Sequence, residues 1–175
     1  MTHSHIVALL AFLSIFGSCR KTESTHVRLS RQISDPYISE MSKQYCFKYF
    51  GGGGAFLNTV NEISIIFVSP YVISLDECRL QYVRMIETLL KKYNSNEEIR
   101  PYLGNYPFEP KNLEILIVYN LDPNLSIPNR VYSVTMINGV IFFEIKDTDS
   151  VAPENYIKEP FEEAYFKVYG KEWTP

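Results

Sequence analysis

The stretch that most constrains the fold runs from residue 62 to residue 121, where a long helical pattern lies between two β-patterned runs. EISIIFV, at 62–68, alternates so that Ile63, Ile65 and Phe67 share one face. Pro70 then ends the run, because proline cannot donate to a strand ladder. Ser74 and Glu77 make a capping-box pattern, and Ile73 is placed to staple against Cys78. Leu75, Tyr82, Ile86, Leu89 and Tyr93 recur beyond it as one apolar stripe. Lys91 and Lys92 complement the negative end of that helix, and Asn94 suits a left-handed exit. LEILIVYNL, at 113–121, supplies the second strand, with Leu113, Ile115, Ile117 and Tyr119 together. The helix can thus cross over between two strands of one sheet and lie on its face.

The flanking segments fill in the rest. RVYSVTMINGVIFFEI, at 130–145, predicts a hairpin turning at Asn138-Gly139, a pair suited to a type I′ turn. That turn sets Met136 opposite Ile141, Val134 opposite Phe143 and Tyr132 opposite Ile145, all six on the core face. Pro160 opens a short helix with Phe161, Ala164, Tyr165 and Val168 inward, and Gly170 closes it. Upstream, Ser34 and Asp35 cap a helix with Pro36 in its first turn and Ile38, Met41, Tyr45 and Tyr49 at helical spacing. Gly51 to Gly54 ends it and reads as a flexible turn or a close backbone crossing. It lacks the marks of a phosphate loop, since Ala55-Phe56 follows where a Walker loop needs Lys and Ser or Thr, and a strand follows where a dinucleotide loop opens a helix. The expected architecture is α+β: a four-stranded, mostly antiparallel sheet, formed by strand 1 and then a three-strand meander, with helices packed on one face. One domain over residues 36–175 holds it all.

Several chemistries drop out on composition. Of three histidines, His3, His5 and His26, none falls after residue 36. Ser-His-Asp and Cys-His nucleophile activation, and the commonest zinc ligand, are therefore missing from the body. A net charge of −3 is too mild for a nucleic-acid footprint. No cofactor and no metal is implied. Cys46 and Cys78 can pair in an oxidising compartment, closing a loop of about 30 residues worth about 3 to 4 kcal/mol, or stand as separate buried thiols. Glu98, Glu114 and Glu144 are the acids available to a glycosidase, which needs two carboxylates about 5 to 10 Å apart across a cleft. Glu162 and Glu163 read as a solvated helix face.

The oddest stretch is NSNEEIRPYLGNYPFEPKNLEI, at 94–115. It offers Tyr102, Tyr106 and Phe108 as a stacking shelf for a sugar or peptide, with Glu98 and Arg100 as polar hooks, or else the packing of a stiff proline-rich connector. With the glycine run, the helix and the second strand, it resembles a family of small uncharacterised proteins of intracellular, chlamydial-type bacteria. Members of that family often carry a histidine where this chain has Gly104. The resemblance implies grouping and no activity.

The amino-terminal end speaks to location. Ile6 to Phe16 is apolar apart from Ser14, too short for the roughly 20 residues of a comfortable membrane span but within the 7 to 15 or so of a secretory h-region. Phe16-Gly17-Ser18-Cys19 follows and resembles the lipobox of bacterial lipoproteins, with Phe16 where leucine is usual. The resemblance implies cleavage before Cys19 and acylation of that cysteine, so that residues 1–18 are a signal and 19–35 a flexible tether. Ordinary signal cleavage nearby and an uncleaved anchor or core helix are the competing readings. Arg20 after the cysteine, where enteric lipoproteins held at the inner membrane carry aspartate, favours the outer membrane facing the periplasm. The expected function is a lipid-anchored envelope protein with a non-catalytic binding or structural domain, contacting the membrane through its anchor and an envelope protein or glycan through its body. The rival is a histidine-free, carboxylate-dependent envelope hydrolase acting on cell-wall glycan or peptide.

Overall fold

The computed structural model describes residues 23–119, 130–145 and 155–174. The apolar run Ile6–Phe16 and Cys19 lie outside the described residues. Three helices and a mixed sheet make up the domain: α1 (Thr25–Gln44), β1 (Lys48–Ala55), β2 (Glu62–Val68), β3 (Ile73–Ser74), α2 (Leu75–Asn94), β4 (Leu113–Val118), β5 (Arg130–Ile137), β6 (Val140–Ile145), β7 (Asn155–Pro160) and α3 (Phe161–Tyr169). The sheet runs β1-β2-β4-β5-β6-β7, with two-residue β3 pairing the end of β5. The class is α+β, but the sheet is wider than the four expected strands.

The strand–helix–strand unit forms as its pattern requires. β2 and β4 pair in parallel, Ile63 opposite Leu113 through Val68 opposite Val118, with α2 as the crossover between them. Ser74 Oγ accepts from the Glu77 backbone N–H, and Glu77 reaches back to the Ser74 N–H, so the capping box is real. Tyr82, Ile86, Leu89 and Tyr93 are buried, and Tyr82 donates to the Ile115 carbonyl of β4. The helix ends otherwise than expected: Ser95 closes it in right-handed geometry, and the Asn94 amide is spent on the Phe108 backbone. β4, β5 and β6 form the antiparallel meander. Asn138 and Gly139 both take positive φ at the hairpin, and Met136–Ile141 and Val134–Phe143 pair as expected. A bulge between Val131 and Ser133 shifts the register beyond them, so Ile145 faces Val131 and not Tyr132. Val131 takes the fully buried place and Tyr132 stays half-buried.

Three departures from the expected architecture have separate local causes. β1 is the glycine run itself, paired antiparallel with β2. Glycines carry no side chains to alternate, so a strand made of them leaves no periodic trace. β7, NYIKEP, is an edge strand on β6 whose polar residues hide it likewise. α1 begins at Thr25, eleven residues before Pro36, which lies inside the helix. His26, Leu29, Ser30, Ile33, Tyr37 and Met41 are its buried stripe. Residues 25–35 are thus not a flexible tether but the first half of a packed helix. Among the described residues, no helix is long and apolar enough to cross a membrane.

Candidate functional site

Among the described residues, the most site-like feature is a groove of about 330 Å³ between α1 and the β1–β2 edge of the sheet. Its origin is the glycine run. Tyr49, Gly52 and Gly54 stand opposite Phe67, Ile65 and Ile63, residues that point into the core. At Gly52 β1 sends no side chain inward and the layer between helix and strand stays open, while at Gly54 the Phe56 ring takes the place. Both crowd β2 backbone: a Cβ at Gly52 would lie 2.6 Å from the Ser64 carbonyl oxygen, and one at Gly54 would run into the Glu62 carbonyl and the Phe56 ring, too close without a shift of backbone. At Gly51 and Gly53 an added Cβ meets nothing within 4 Å.

The walls mix apolar and polar groups. Val27, Ile38, Phe56, Ile63 and Ile65 supply the apolar lining, and Arg31 and Asp35 stand exposed on the α1 side. Ser30 and Ser34 also face it, but their hydroxyls hydrogen-bond to the Tyr93 hydroxyl at 2.7 and 2.9 Å, which ties α1 to α2. At the far end His26 Nε2 donates to the Phe56 carbonyl at 2.8 Å and its ring stacks on Tyr102. Arg31 pairs with Glu23 at 3.1 Å, a fully exposed contact in water. The groove can receive a side-chain-sized group and offer it apolar contact with one cation and one anion nearby.

The 94–115 segment reads mainly as a connector. Phe108 is fully buried and stacks on Tyr93 with ring centroids 5.2 Å apart, because Asn94 both donates to its carbonyl and accepts from its N–H. It therefore cannot serve a surface shelf. Tyr102 is half-buried, its carbonyl accepting from Val60 N–H at 2.7 Å. Tyr106 is exposed and lies under the Arg100 guanidinium, 4.7 Å from the ring centroid, and Glu98 is exposed to solvent. The structure brings together Arg100 and Tyr106 of the five. At Gly104 a Cβ would run into the Asn61 side-chain amide, which would have to swing aside.

The acids do not converge. Glu114 is the second residue of β4, and Glu144 of β6 is level with Val118 through Ser133. Four residues of rise and two strand spacings separate their Cα atoms by about 16 Å, wider than the roughly 5 to 10 Å between a glycosidase's two carboxyl groups. Glu144 accepts from Ser133 Oγ at 2.6 Å, and Glu162 and Glu163 lie on the exposed face of α3.

The other charged cluster holds the fold. Arg79 of α2 donates from Nε and Nη2 to the two oxygens of Glu159, 2.8 Å each, and Lys167 of α3 adds a third bond at 3.0 Å. Burial would raise the Glu159 pKa, but the bonds and charges of Arg79 and Lys167 outweigh it and hold the carboxyl below its ordinary value. Cys46 and Cys78 are both free. Cys78 points into the core, where burial pushes its thiol up to about 12 against the opposing pull of Tyr119 and Arg79. Cys46 sits exposed, with positive φ, in the turn before β1. Among the described residues, no three His, Cys, Asp or Glu gather into a metal-binding group. Set beside known protein families, curated proteins and solved structures, the chain matches none.

No sequence rule pointed to the groove. The one available signal was that four consecutive glycines between a helix and a strand leave space wherever they fall.

Proposed function

We propose that this chain is a bacterial envelope lipoprotein, anchored through Cys19 and facing the periplasm, whose domain acts by binding and not by catalysis. The groove between α1 and β1 carries the binding half of that reading: it is open, mixed in polarity and built where the strand gives up its side chains. The interior's ionisable groups favour the same reading, since Arg79, Glu159 and Lys167 are spent on one another and the Cys78 thiol stays protonated. The separation of Glu114 from Glu144 weighs against a glycosidase-like acid pair. The anchoring half rests on the lipobox-like Phe16-Gly17-Ser18-Cys19. Multiple acyl chains moor such a protein stably, at about 0.8 kcal/mol per buried CH₂, where a single chain does not. Radiolabelled palmitate separates the possibilities. Label in the wild type and its loss in Cys19→Ala is the expected result, and equal labelling of the two overturns the anchor.

A further inference from the structure

The starting end of α1 is tied to the turn between β1 and β2. His26, in the first turn of the helix, donates from Nε2 to the Phe56 carbonyl at 2.8 Å, and Ser24 Oγ lies 3.3 Å from the same nitrogen. Glu23 follows Cys19 by four positions in the sequence, and an extended chain spans at most about 3.6 Å per residue. Cys19 is therefore held within about 14 Å of Glu23, close to that turn. Leu57, the residue after Phe56, is 89% exposed, more than any other large apolar side chain among the described residues. A lone exposed leucine is ordinary on a protein surface. What singles this one out is its place beside the chain that leads to the anchor.

Building on the anchored reading, we propose that the β1–β2 turn seats on the bilayer that receives the acyl chains, with Leu57 sunk to the boundary between headgroups and hydrocarbon. The partner is a lipid surface, met by apolar contact. Glu23 answers Arg31 at this end of α1, so opposite charges offset each other there. Acyl chains alone limit the domain's distance from the membrane and leave its orientation free. A second contact within reach of the anchored cysteine fixes the orientation as well. Tyr71, 57% exposed just beyond the opposite end of β2, then faces away from lipid. The strand between the two ends is about 20 Å long, enough to keep that ring out of the acyl chains.

The test uses the full acylated chain in phosphatidylcholine vesicles. Trp173 is the chain's one tryptophan, so Trp173→Phe gives a background into which Leu57→Trp or Tyr71→Trp places a single fluorescent reporter at an exposed site. With bromine on the lipid acyl chains, the reporter at 57 should shift to the blue and lose most of its emission, while the reporter at 71 keeps its own. In the otherwise native acylated chain, Leu57→Asp should speed amide exchange over 56–59 on vesicles, a readout independent of Trp173→Phe. Equal emission loss at 57 and 71, no loss at either, or unchanged exchange in Leu57→Asp would overturn the seating, and the anchor would stand as long as the chain floats with the vesicles. Flotation no better than that of Cys19→Ala would overturn both. Emission loss at 57 that requires phosphatidylglycerol and vanishes in high salt would give the contact to charge and overturn the apolar insertion.

Discussion

At the scale of single residues, Glu159 carries the heaviest responsibility. It is 3% exposed and holds α2 to α3 through Arg79 and Lys167. Removing Arg79 leaves the buried carboxylate with Lys167 as its remaining cation, so Arg79→Ala should cost up to about 3 kcal/mol in chemical denaturation. Because the folded state holds this carboxyl below its ordinary value, its contribution is complete at neutral pH. It is lost as pH falls from the unfolded-state value, near 4.3, through the folded one. Glu159→Gln should therefore be less stable at pH 7 and show a shallower acid limb than the wild type in thermal melts across pH. An acid limb identical to wild type would contradict the assignment. The thiols give a quicker reading. With Cys78 protonated and buried, Ellman's reagent at pH 8 should titrate Cys46 alone in the folded chain from residue 23, and both thiols after guanidinium.

At the scale of elements, β1 and α1 make separable claims. Alanine at Gly51 or Gly53 fits the space and removes unfolded-state freedom, so each should be neutral or stabilising by about 0.4 to 1 kcal/mol. Alanine at Gly52 must push aside the Ser64 carbonyl and should lower the melting temperature. Similar effects at 51, 52 and 53 would argue that the run is a loop. α1 predicts that Leu29→Ala, deep in the stripe beside Ile33 and Tyr37, costs about 2 to 5 kcal/mol. What the sequence made legible follows the same division. β2, α2, β4, the hairpin and α3 each carry side chains that alternate or recur, and each lies where those patterns put it. The run of Gly51 to Gly54 has no pattern to read, and β7 is an edge whose polarity reads as loop. The first half of α1 was hidden by Arg28, Ser30, Arg31 and Gln32 among its apolar residues, and by Pro36, which marks a helix start more often than a middle. The Val131/Ser133 bulge follows from no local rule and moved only Tyr132.

At the scale of the whole molecule, the ends of the helices and the sheet decide what faces out. α2 stands between α1 and α3 and packs on β5, so the layer it heads is closed over the middle of the sheet. The layer thins at β1, where the glycines leave α1 standing off the strand. The groove is thus a consequence of topology meeting composition: a sheet edge placed under a helix, in the one strand with too few side chains to fill the gap. Tyr102 and Phe108, readable as a shelf or as connector packing, went to packing, while the glycine run, read as a flexible turn or a close backbone crossing, became the site's floor. A chain-wide view also sets the direct test, a small-molecule fragment titration followed on the backbone amides of the folded domain. Shifts converging on Val27, Arg31, Asp35, Tyr49, Gly52 and Gly53 are the predicted result. Shifts converging instead on the cavity beside Leu90, Tyr165 and Trp173, or on the sheet face bearing Glu114 and Glu144, would contradict it.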